Sequence, residues 1–328
     1  MEYTSLPEMG MKVSRVALGG CPLGGHGWGK VEDADSIAAV RTAIDEGVNF
    51  FDTADVYGFG HSEEILSKSL GESRHDVCIA TKFGVRQTSG TETIKDTSPS
   101  WIRTAVEASL KRLRIDVIPL YYMHWPDGVT PIEDVMQELD RLRKNGKIAA
   151  IGLSNISAEE LERATAVAPV SAVQVQYSLV DRKCADALAA SVKKHGVPLV
   201  TWGSLAQGLL TGKYNQETLF PPNDRRHRYE NFQGEKFTQN LKVDEAVLQV
   251  AKMHQCTPSQ VAIRWLLEQD NVGAVLFGAK NSQQVRENIS AMNLHLVQDD
   301  LDALGQMNTE ETSEKRNRSM KYFLSSKN

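Results

Sequence analysis

The sequence predicts an α/β protein whose fold class is a (β/α)8 TIM barrel, formed as a single domain by residues 1–328. Eight short apolar runs alternate with segments in which apolar residues recur at helical spacing, the pattern of a parallel barrel. The runs are short and mostly apolar, as in strands that are buried on both faces. No Pro/Ser/Gly-rich linker divides the chain, and no GxGxxG motif follows a strand, which disfavours the competing doubly wound nucleotide-binding sheet.

Each of the first seven predicted strands is followed by a helical segment, and the seventh is followed by two. The strands are residues 15–20, 50–52, 77–82, 118–124, 148–154, 173–177, 198–202 and 272–277. The helices are residues 35–46, 62–70, 99–113, 131–145, 158–168, 184–195, 244–253 and 258–269. Capping residues support these boundaries, because Pro131 opens a helix that ends at Asn145-Gly146 and Ser157 is a good N-cap for the next helix.

Two connections exceed the usual length for such a fold, which invites a functional interpretation. Residues 83–100 are polar and turn-rich and follow the strand that carries Lys82; they either border the pocket or are disordered. Residues 210–242 contain FPPNDRRHRYENF, whose arginines either form a solvated surface run or belong to a lid over cofactor or substrate.

Titratable side chains end three of the early strands. Asp52 ends the run NFFD, Lys82 ends VCIATK and His124 ends IPLYYMH. Tyr57 lies five residues after Asp52, on a glycine-rich turn that bends it back over the strand end. Singly, each residue has an ordinary interpretation as a solvated or structural side chain. Together they predict a catalytic centre, because the carboxyl ends of parallel barrel strands meet at one face.

These motifs resemble those of the aldo-keto reductases. The matching segments are GxNFFDTADVYG around Asp52 and Tyr57, IATK at Lys82 and YYMHWPD at His124, and the resemblance covers nearly the whole chain. It implies an NADP(H)-dependent oxidoreductase that reduces an aldehyde or ketone, such as a sugar-like or other small polar carbonyl, to an alcohol. Within the family, the chain resembles the bacterial branch related to the potassium-channel β subunits.

Tyr57, Lys82 and Asp52 together can form an acid whose proton is released near neutral pH. A phenol with an ordinary pKa of about 10 donates its proton poorly at neutral pH unless a nearby cation favours the ionised form. Lys82 supplies that cation, and Asp52 holds the lysine charged and oriented. By the resemblance, Tyr57 protonates the substrate oxygen and His124 orients the carbonyl, while the hydride has to come from a nicotinamide cofactor.

The resemblance also implies cofactor residues in the second half of the chain. Ser154, Asn155 and Gln174 are implied to bind the nicotinamide carboxamide. Trp202 is implied to stack on the nicotinamide ring, although taken alone it is equally well a core aromatic. The segment SLAQGLLTGK suits close approach of backbone to a pyrophosphate. The expected cofactor residues are Ser154, Asn155, Gln174, Trp202, Ser204, Leu205, Gly208, Leu209, Lys213, Gly278, Lys280, Gln284 and Asn288.

The expected cofactor is NADPH (NADP+), with NADH as the alternative. Lys280, at a strand-to-helix junction, is a credible partner for the adenosine 2′-phosphate. The chain departs from the family pattern nearby: Phe277 replaces a usual proline, Asn281 replaces a frequent arginine, and Gly203-Ser204 replaces a frequent Ser-Pro pair. These departures predict a weaker preference for NADPH over NADH than in relatives with both cations.

The substrate pocket is expected to include Tyr57, Trp125 directly after His124, and Trp28 in the segment GGHGW. A different class of function stays open, namely a cofactor-sensing regulatory subunit that keeps the reductase barrel and binds a partner protein. Against it, the barrel begins almost at Met1, so no added N-terminal segment is expected. A barrel lyase or isomerase would need a metal or phosphate site, for which the sequence offers no candidate.

The composition of the chain argues against several classes of binding partner. A net charge of −5 and a pI of about 5.9, without a basic stripe, argue against nucleic acid and suit a cytoplasmic protein. The four cysteines are scattered and have no zinc-site spacing, so no metal is expected. Without a signal peptide or a long apolar run, no membrane partner is expected either. The expected partner is a small-molecule carbonyl or alcohol, bound by a monomer or homo-oligomer.

Overall fold

Eight parallel strands form a closed barrel in the computed structural model, which describes residues 1–25, 31–221 and 224–307, with the backbone alone at Arg225. The predicted fold class is therefore confirmed. The strands are β1 Tyr3–Ser5, β2 Lys12–Ser14, β3 Val16–Gly19, β4 Phe50–Asp52, β5 Cys78–Phe83, β6 Val85–Gln87, β7 Thr93–Lys95, β8 Ile118–Met123, β9 Ile148–Ser154, β10 Ala172–Gln176, β11 Leu199–Trp202 and β12 Val272–Gly278. The α-helices are α1 Asp33–Asp45, α2 His61–Leu70, α3 Pro99–Leu113, α4 Ile132–Lys144, α5 Ala158–Thr165, α6 Lys183–His195, α7 Gly234–Met253, α8 Pro258–Leu267, α9 Ser282–Ile289 and α10 Gln298–Gln306.

The barrel strands follow one another in chain order around the circle. The order is β3, β4, β5, β8, β9, β10, β11 and β12, and β12 pairs with β3 to close it. In the parallel register Asp52 lies opposite Ala80, and Lys82 lies opposite Tyr122. The carboxyl ends of all eight strands therefore face the same side, which collects the strand-end side chains at one mouth.

The inside of the barrel is filled by side chains and is closed at its amino-terminal end. Its core includes Phe50, Leu120 and Tyr122, all fully buried. The antiparallel hairpin β1–β2 adds Leu6 and Val13 to this same core. The hairpin therefore covers the amino-terminal end of the barrel, opposite the carboxyl ends of the strands. Access to the interior is therefore from the carboxyl end of the strands.

Local sequence explains where several of the helices begin. At α5, the Ser157 hydroxyl accepts from the Glu160 backbone N–H at 3.1 Å, and the Glu160 carboxylate accepts from the Ser157 N–H at 2.7 Å. This capping box satisfies two N–H groups that a helix start leaves unpaired. The predicted boundary with the largest error is the start of the helix expected from residue 244. This helix begins at Gly234, because Phe237 packs on Phe232 and extends the buried face of α7.

The two long connections contain regular structure. Residues 83–100 include the antiparallel hairpin β6–β7, in which Val85 pairs with Lys95 and Arg86 with Ile94. Residues 210–242 contain short 3-10 turns and the first turns of α7, gathered around an aromatic cluster that includes Tyr214 and Phe232. In the ranges that the structure describes, none of the helices is both long and apolar enough to cross a bilayer.

Candidate active site

A buried ion pair lies at the centre of the barrel mouth. Lys82 Nζ donates to Asp52 Oδ1 at 2.6 Å and to the carbonyl oxygen of Thr53 at 2.8 Å. The Lys82 side chain is 0% exposed and that of Asp52 3% exposed. The second carboxylate oxygen, Oδ2, accepts from Gln174 Nε2 at 2.8 Å. The carboxylate is thus bound on both oxygens, which a charge pair removed from water requires.

Tyr57 lies beside this pair. Its ring centroid is 5.1 Å from Lys82 Nζ, and the ring meets that of His124 edge-on, with centroids 5.7 Å apart. The turn that carries Tyr57 needs glycine at Gly58, where φ is +61° and an added Cβ would lie 2.5 Å from the Gly24 carbonyl oxygen. The close approach of these two backbones therefore fixes the position of the phenol.

His124 follows β8 directly and is held neutral. Burial, and secondly the positive charge of Lys82, keep the pKa of His124 well below its usual range. Its backbone N–H donates to the Phe83 carbonyl oxygen at 2.8 Å, which ties it to the strand of Lys82. Among the residues that the structure describes, Nδ1 of the ring has no hydrogen-bond partner. A neutral imidazole can donate one hydrogen bond without adding a second cation beside Lys82.

The side chains expected at the nicotinamide lie on the neighbouring strands and are bonded to one another. Asn155, with a φ of +57°, donates from Nδ2 to the His124 carbonyl oxygen at 2.9 Å and to Ser154 Oγ at 3.0 Å. Its Oδ1 accepts from Trp202 Nε1 at 3.2 Å. The structure therefore brings Ser154, Asn155 and Trp202 together beside His124, while Gln174 contacts Asp52.

The segment from Ser204 to Lys213 begins directly beyond β11. The Ser204 hydroxyl lies 3.0 Å from that of Thr201, and both are buried. Gly208 has a φ of +94°. Leu205 is half-buried, Leu209 is buried and Lys213 is exposed. The segment thus combines a fixed, buried start with an exposed cation at its end.

Lys280, which shortly precedes α9, is influenced by two other cations. Burial, and secondly the charge of Arg226, with a further contribution from Lys213, lower the pKa of Lys280, while Asp224 opposes the effect. The guanidinium of Arg226 is held by Asp224 through its Nε at 2.9 Å. Two further positive charges thus act on Lys280, and a phosphate dianion is the kind of group that stabilises neighbouring cations.

The remaining expected residues of this region order the turn into α9. The Gln284 side-chain oxygen accepts from the Lys280 backbone N–H at 2.8 Å, and Asn288 Nδ2 donates to the Gly278 carbonyl oxygen at 3.4 Å. Asn281 is the N-cap, because its Oδ1 accepts from the Gln284 N–H at 3.0 Å. The asparagine that replaces the family's frequent arginine thus has a structural task here.

Of the two tryptophans predicted to line the pocket, the structure describes Trp125. Trp28 lies outside the described residues. Trp125 meets Trp202 edge-on with ring centroids 6.5 Å apart, and Lys95 Nζ lies 4.8 Å from the Trp125 ring centroid. Trp125 therefore borders the group of residues expected at the nicotinamide.

Sequence reasoning missed Asp127, which joins two loops of the mouth. Its carboxylate accepts from the backbone N–H groups of Thr97, Val129 and Thr130 at 2.9, 2.8 and 2.7 Å. Burial alone would raise the pKa of Asp127, yet these bonds hold it well below its usual range. An aspartate followed by glycine after a strand is a signal for such an Asx turn, and WPDGVT carries it.

Comparison with known proteins identifies the family. Residues 15–309 match the sequence model described as the Aldo/keto reductase family. The chain belongs to this family. The resemblance drawn from its motifs is confirmed, and the family consists of oxidoreductases that in general reduce carbonyl groups with NAD(P)H.

Relatives with known sequences cover most of the chain. Aldo-keto reductase YhdN of Bacillus subtilis (strain 168) is 36% identical over 288 residues, which is 87% of each chain. Probable aldo-keto reductase 1 of Glycine max is 33% identical over 302 residues, or 92% of this chain and 87% of that one. Aldo-keto reductase yakc of Schizosaccharomyces pombe, whose name specifies NADP(+), is 36% identical over 275 residues, or 82% and 81% of the two chains.

Solved structures agree with the fold. The glycerol dehydrogenase AKR11B4 from Gluconobacter oxydans is similar with a TM-score of 0.87 and 34% identity, over 95% of this chain and 98% of that one. The thermostable aldo-keto reductase Tm1743, in complex with the inhibitor epalrestat, is similar with a TM-score of 0.75 and 26% identity, over 94% and 100%.

Proposed function

We propose that the protein reduces an aldehyde or ketone to an alcohol with NADPH, and that Tyr57 supplies the proton. The observation that carries this proposal is the buried pair of Lys82 and Asp52, 2.6 Å apart, with the lysine ammonium 5.1 Å from the Tyr57 ring. A cation beside a phenol favours loss of its proton, and the effect is larger where water is excluded.

The chain's own residues then divide the acid catalysis as follows. Asp52 keeps Lys82 charged and fixes it in place, and Lys82 lets Tyr57 give up its proton to a carbonyl oxygen that is becoming an alkoxide. His124, held neutral, donates a hydrogen bond to the same oxygen and orients the carbonyl. The nicotinamide cofactor, when bound, supplies the hydride that side chains cannot.

Support for a phosphorylated cofactor comes from the charges that act on Lys280. The positive charges of Arg226 and Lys213 both act on Lys280, which fits a dianionic 2′-phosphate better than an unsubstituted ribose hydroxyl. The name of the relative from Schizosaccharomyces pombe also specifies NADP(+). We propose that Ser154, Asn155 and Gln174 bind the carboxamide of this cofactor, and that Trp202 stacks on its ring.

The proposed substrate class is supported by a similarity to a solved structure. The similar structure named a glycerol dehydrogenase favours small polar or sugar-like carbonyl compounds, with Trp125 forming part of the pocket. We further propose that residues 1–328 form one domain, which acts on small molecules in the cytoplasm.

Tyr57→Phe tests the proposal, because it removes the donated proton and keeps the ring. Turnover of NADPH with a panel of glyceraldehyde, dihydroxyacetone and simple aldehydes is expected to fall by at least about 100-fold. NADPH binding, measured by fluorescence, is expected to be unchanged. Near-normal turnover in the variant would remove Tyr57 from this role. Tight NADPH binding by the native protein without turnover of any carbonyl would favour the cofactor-sensing subunit.

A further inference from the structure

The hairpin β6–β7 presents two cations on opposite faces. Because side chains alternate along a strand, the pairing of Val85 with Lys95 and of Arg86 with Ile94 turns Arg86 and Lys95 to different sides. The guanidinium of Arg86 lies 5.2 Å from the Trp101 ring centroid, on the α3 side, and pairs with Asp96 at 3.1 Å. Lys95 lies over Trp125 instead. The hairpin therefore aims Lys95 towards the barrel mouth.

Main-chain hydrogen bonds fix the hairpin at this place. It starts directly after Lys82-Phe83, and the Asp96 N–H donates to the Gly84 carbonyl oxygen at 3.2 Å. The Thr97 N–H donates to Asp127, in the same loop as Trp125, at 2.9 Å. The position of Lys95 relative to Trp125 thus does not depend on the contact between cation and ring alone.

The side chain of Lys95 is exposed, and the described residues around it leave its charge without an acidic partner. Within the parts of the chain that the structure describes, no carboxylate forms an ion pair with Lys95. The nearby acids are already occupied, Asp96 by Arg86 and Asp127 by backbone N–H groups. Deeper in the mouth, Asp52 neutralises Lys82. Among the described residues, an anion arriving at the rim would therefore meet a positive charge that no carboxylate already holds.

We propose that Lys95 binds an anionic group, a carboxylate or a phosphate, at the end of the substrate remote from its carbonyl. The inference rests on the proposed function and adds to it the charge of the preferred substrate. Trp125 contacts both Lys95, at 4.8 Å from its ring centroid, and Trp202, at 6.5 Å between ring centroids, so one aromatic ring connects the ammonium to the residues expected at the nicotinamide. A lysine ammonium is a flexible point charge, which suits either anion.

Two matched substrate pairs test this. Terephthalaldehydic acid and its amide have nearly the same size and differ in charge, and glyceraldehyde phosphate and glyceraldehyde form the second pair. The native enzyme is expected to show a lower KM for the anionic member of at least one pair. Lys95→Met is expected to raise that KM about tenfold and to leave the neutral member within about twofold. Lys95→Arg should keep the preference, and added salt should weaken it.

Lys12→Met is the matched control. Lys12 is also an exposed hairpin lysine, but it lies in β2, at the opposite end of the barrel. This variant is expected to keep the native ratio of KM values. The pair that loses its preference in Lys95→Met identifies the anion as carboxylate or phosphate.

Other outcomes overturn the inference in distinguishable ways. Unchanged ratios for both pairs in Lys95→Met would show that the ammonium does not contact the substrate. An equal loss for anionic and neutral members would show that Lys95 only positions Trp125. If the native enzyme reduces none of the four compounds and no other carbonyl, the proposed function fails first, and the inference falls with it.

Discussion

Removing either charge of the buried pair should affect stability and turnover differently from removing both. Lys82 and Asp52 are 2.6 Å apart and almost fully buried, and the second oxygen of Asp52 is held by Gln174. Breaking such a pair leaves an uncompensated buried charge, which costs about 3–5 kcal/mol. We expect Lys82→Met to lose this much free energy of unfolding and to lower turnover by roughly 10²- to 10⁴-fold, because Tyr57 loses its cation.

Asp52→Asn should be milder in turnover, since the lysine ammonium remains beside the phenol and the asparagine oxygen can still accept from Gln174. The double variant, Lys82→Met with Asp52→Asn, carries no buried charge at this place. It should regain most of the lost stability and none of the lost activity.

Urea unfolding and steady-state turnover with NADPH, measured on the same preparations, provide the comparison. A double variant as unstable as Lys82→Met would mean that unpaired charge is not the source of the loss. A turnover in Asp52→Asn far below that of Lys82→Met, in folded protein, would reverse the proposed order in which Asp52 acts through Lys82 on Tyr57. Recovery of turnover in the double variant would contradict the role of the cation altogether.

Three other substitutions test the binding of the cofactor phosphate, the pH dependence of stability, and the packing of the barrel core. Lys280→Met should weaken NADPH binding by about 10- to 100-fold and leave the NADH dissociation constant unchanged; equal weakening of both would place the phosphate elsewhere. Burial raises the pKa of Asp244 to about 6, so the folded protein holds this proton more tightly and loses stability as pH rises from 3.8 to about 6. Asp244→Asn keeps an acceptor for the Gly212 N–H and should gain about 2 kcal/mol at neutral pH but little in acid, as read by urea unfolding at several pH values. Gly152→Ala would place a Cβ 2.3 Å from the buried Tyr122 ring and should cost about 1–3 kcal/mol in thermal unfolding; an unchanged melting temperature would show that the ring can move.

Elements with strong local signals could be predicted from the sequence almost to the residue. The helix α3 starts at Pro99 after the N-cap Ser98, and β9 spans Ile148–Ser154, as the sequence indicated. The early start of α7 could not be predicted, because it depends on packing between Phe237 and Phe232. The hairpins β1–β2 and β6–β7 were missed as well, since three-residue strands carry too little periodicity.

The residues of the candidate site likewise divide into those that local sequence indicates and those whose contacts depend on the tertiary structure. Asp52 and Lys82 were found because strand ends are visible in the sequence and parallel strands share one mouth. The contact of Gln174 with Asp52 joins residues far apart in the chain, so only closure of the barrel reveals it. The Asx turn at Asp127 was visible in WPDGVT, whereas the aim of Lys95 depends on the register of its hairpin.

The hairpin that follows Lys82 closes on itself before the chain enters α3. The Thr88 N–H donates to the Glu92 carbonyl oxygen at 3.0 Å, and Asp96 returns to Gly84. Such a segment is an exchangeable cassette, because its two ends are already adjacent. It contacts the loop after β8 through the hydrogen bond from the Thr97 N–H to Asp127 and through Lys95 over the Trp125 ring. Exchanging the cassette among family members should transplant the reach and charge of the substrate rim while the acid chemistry below is inherited unaltered.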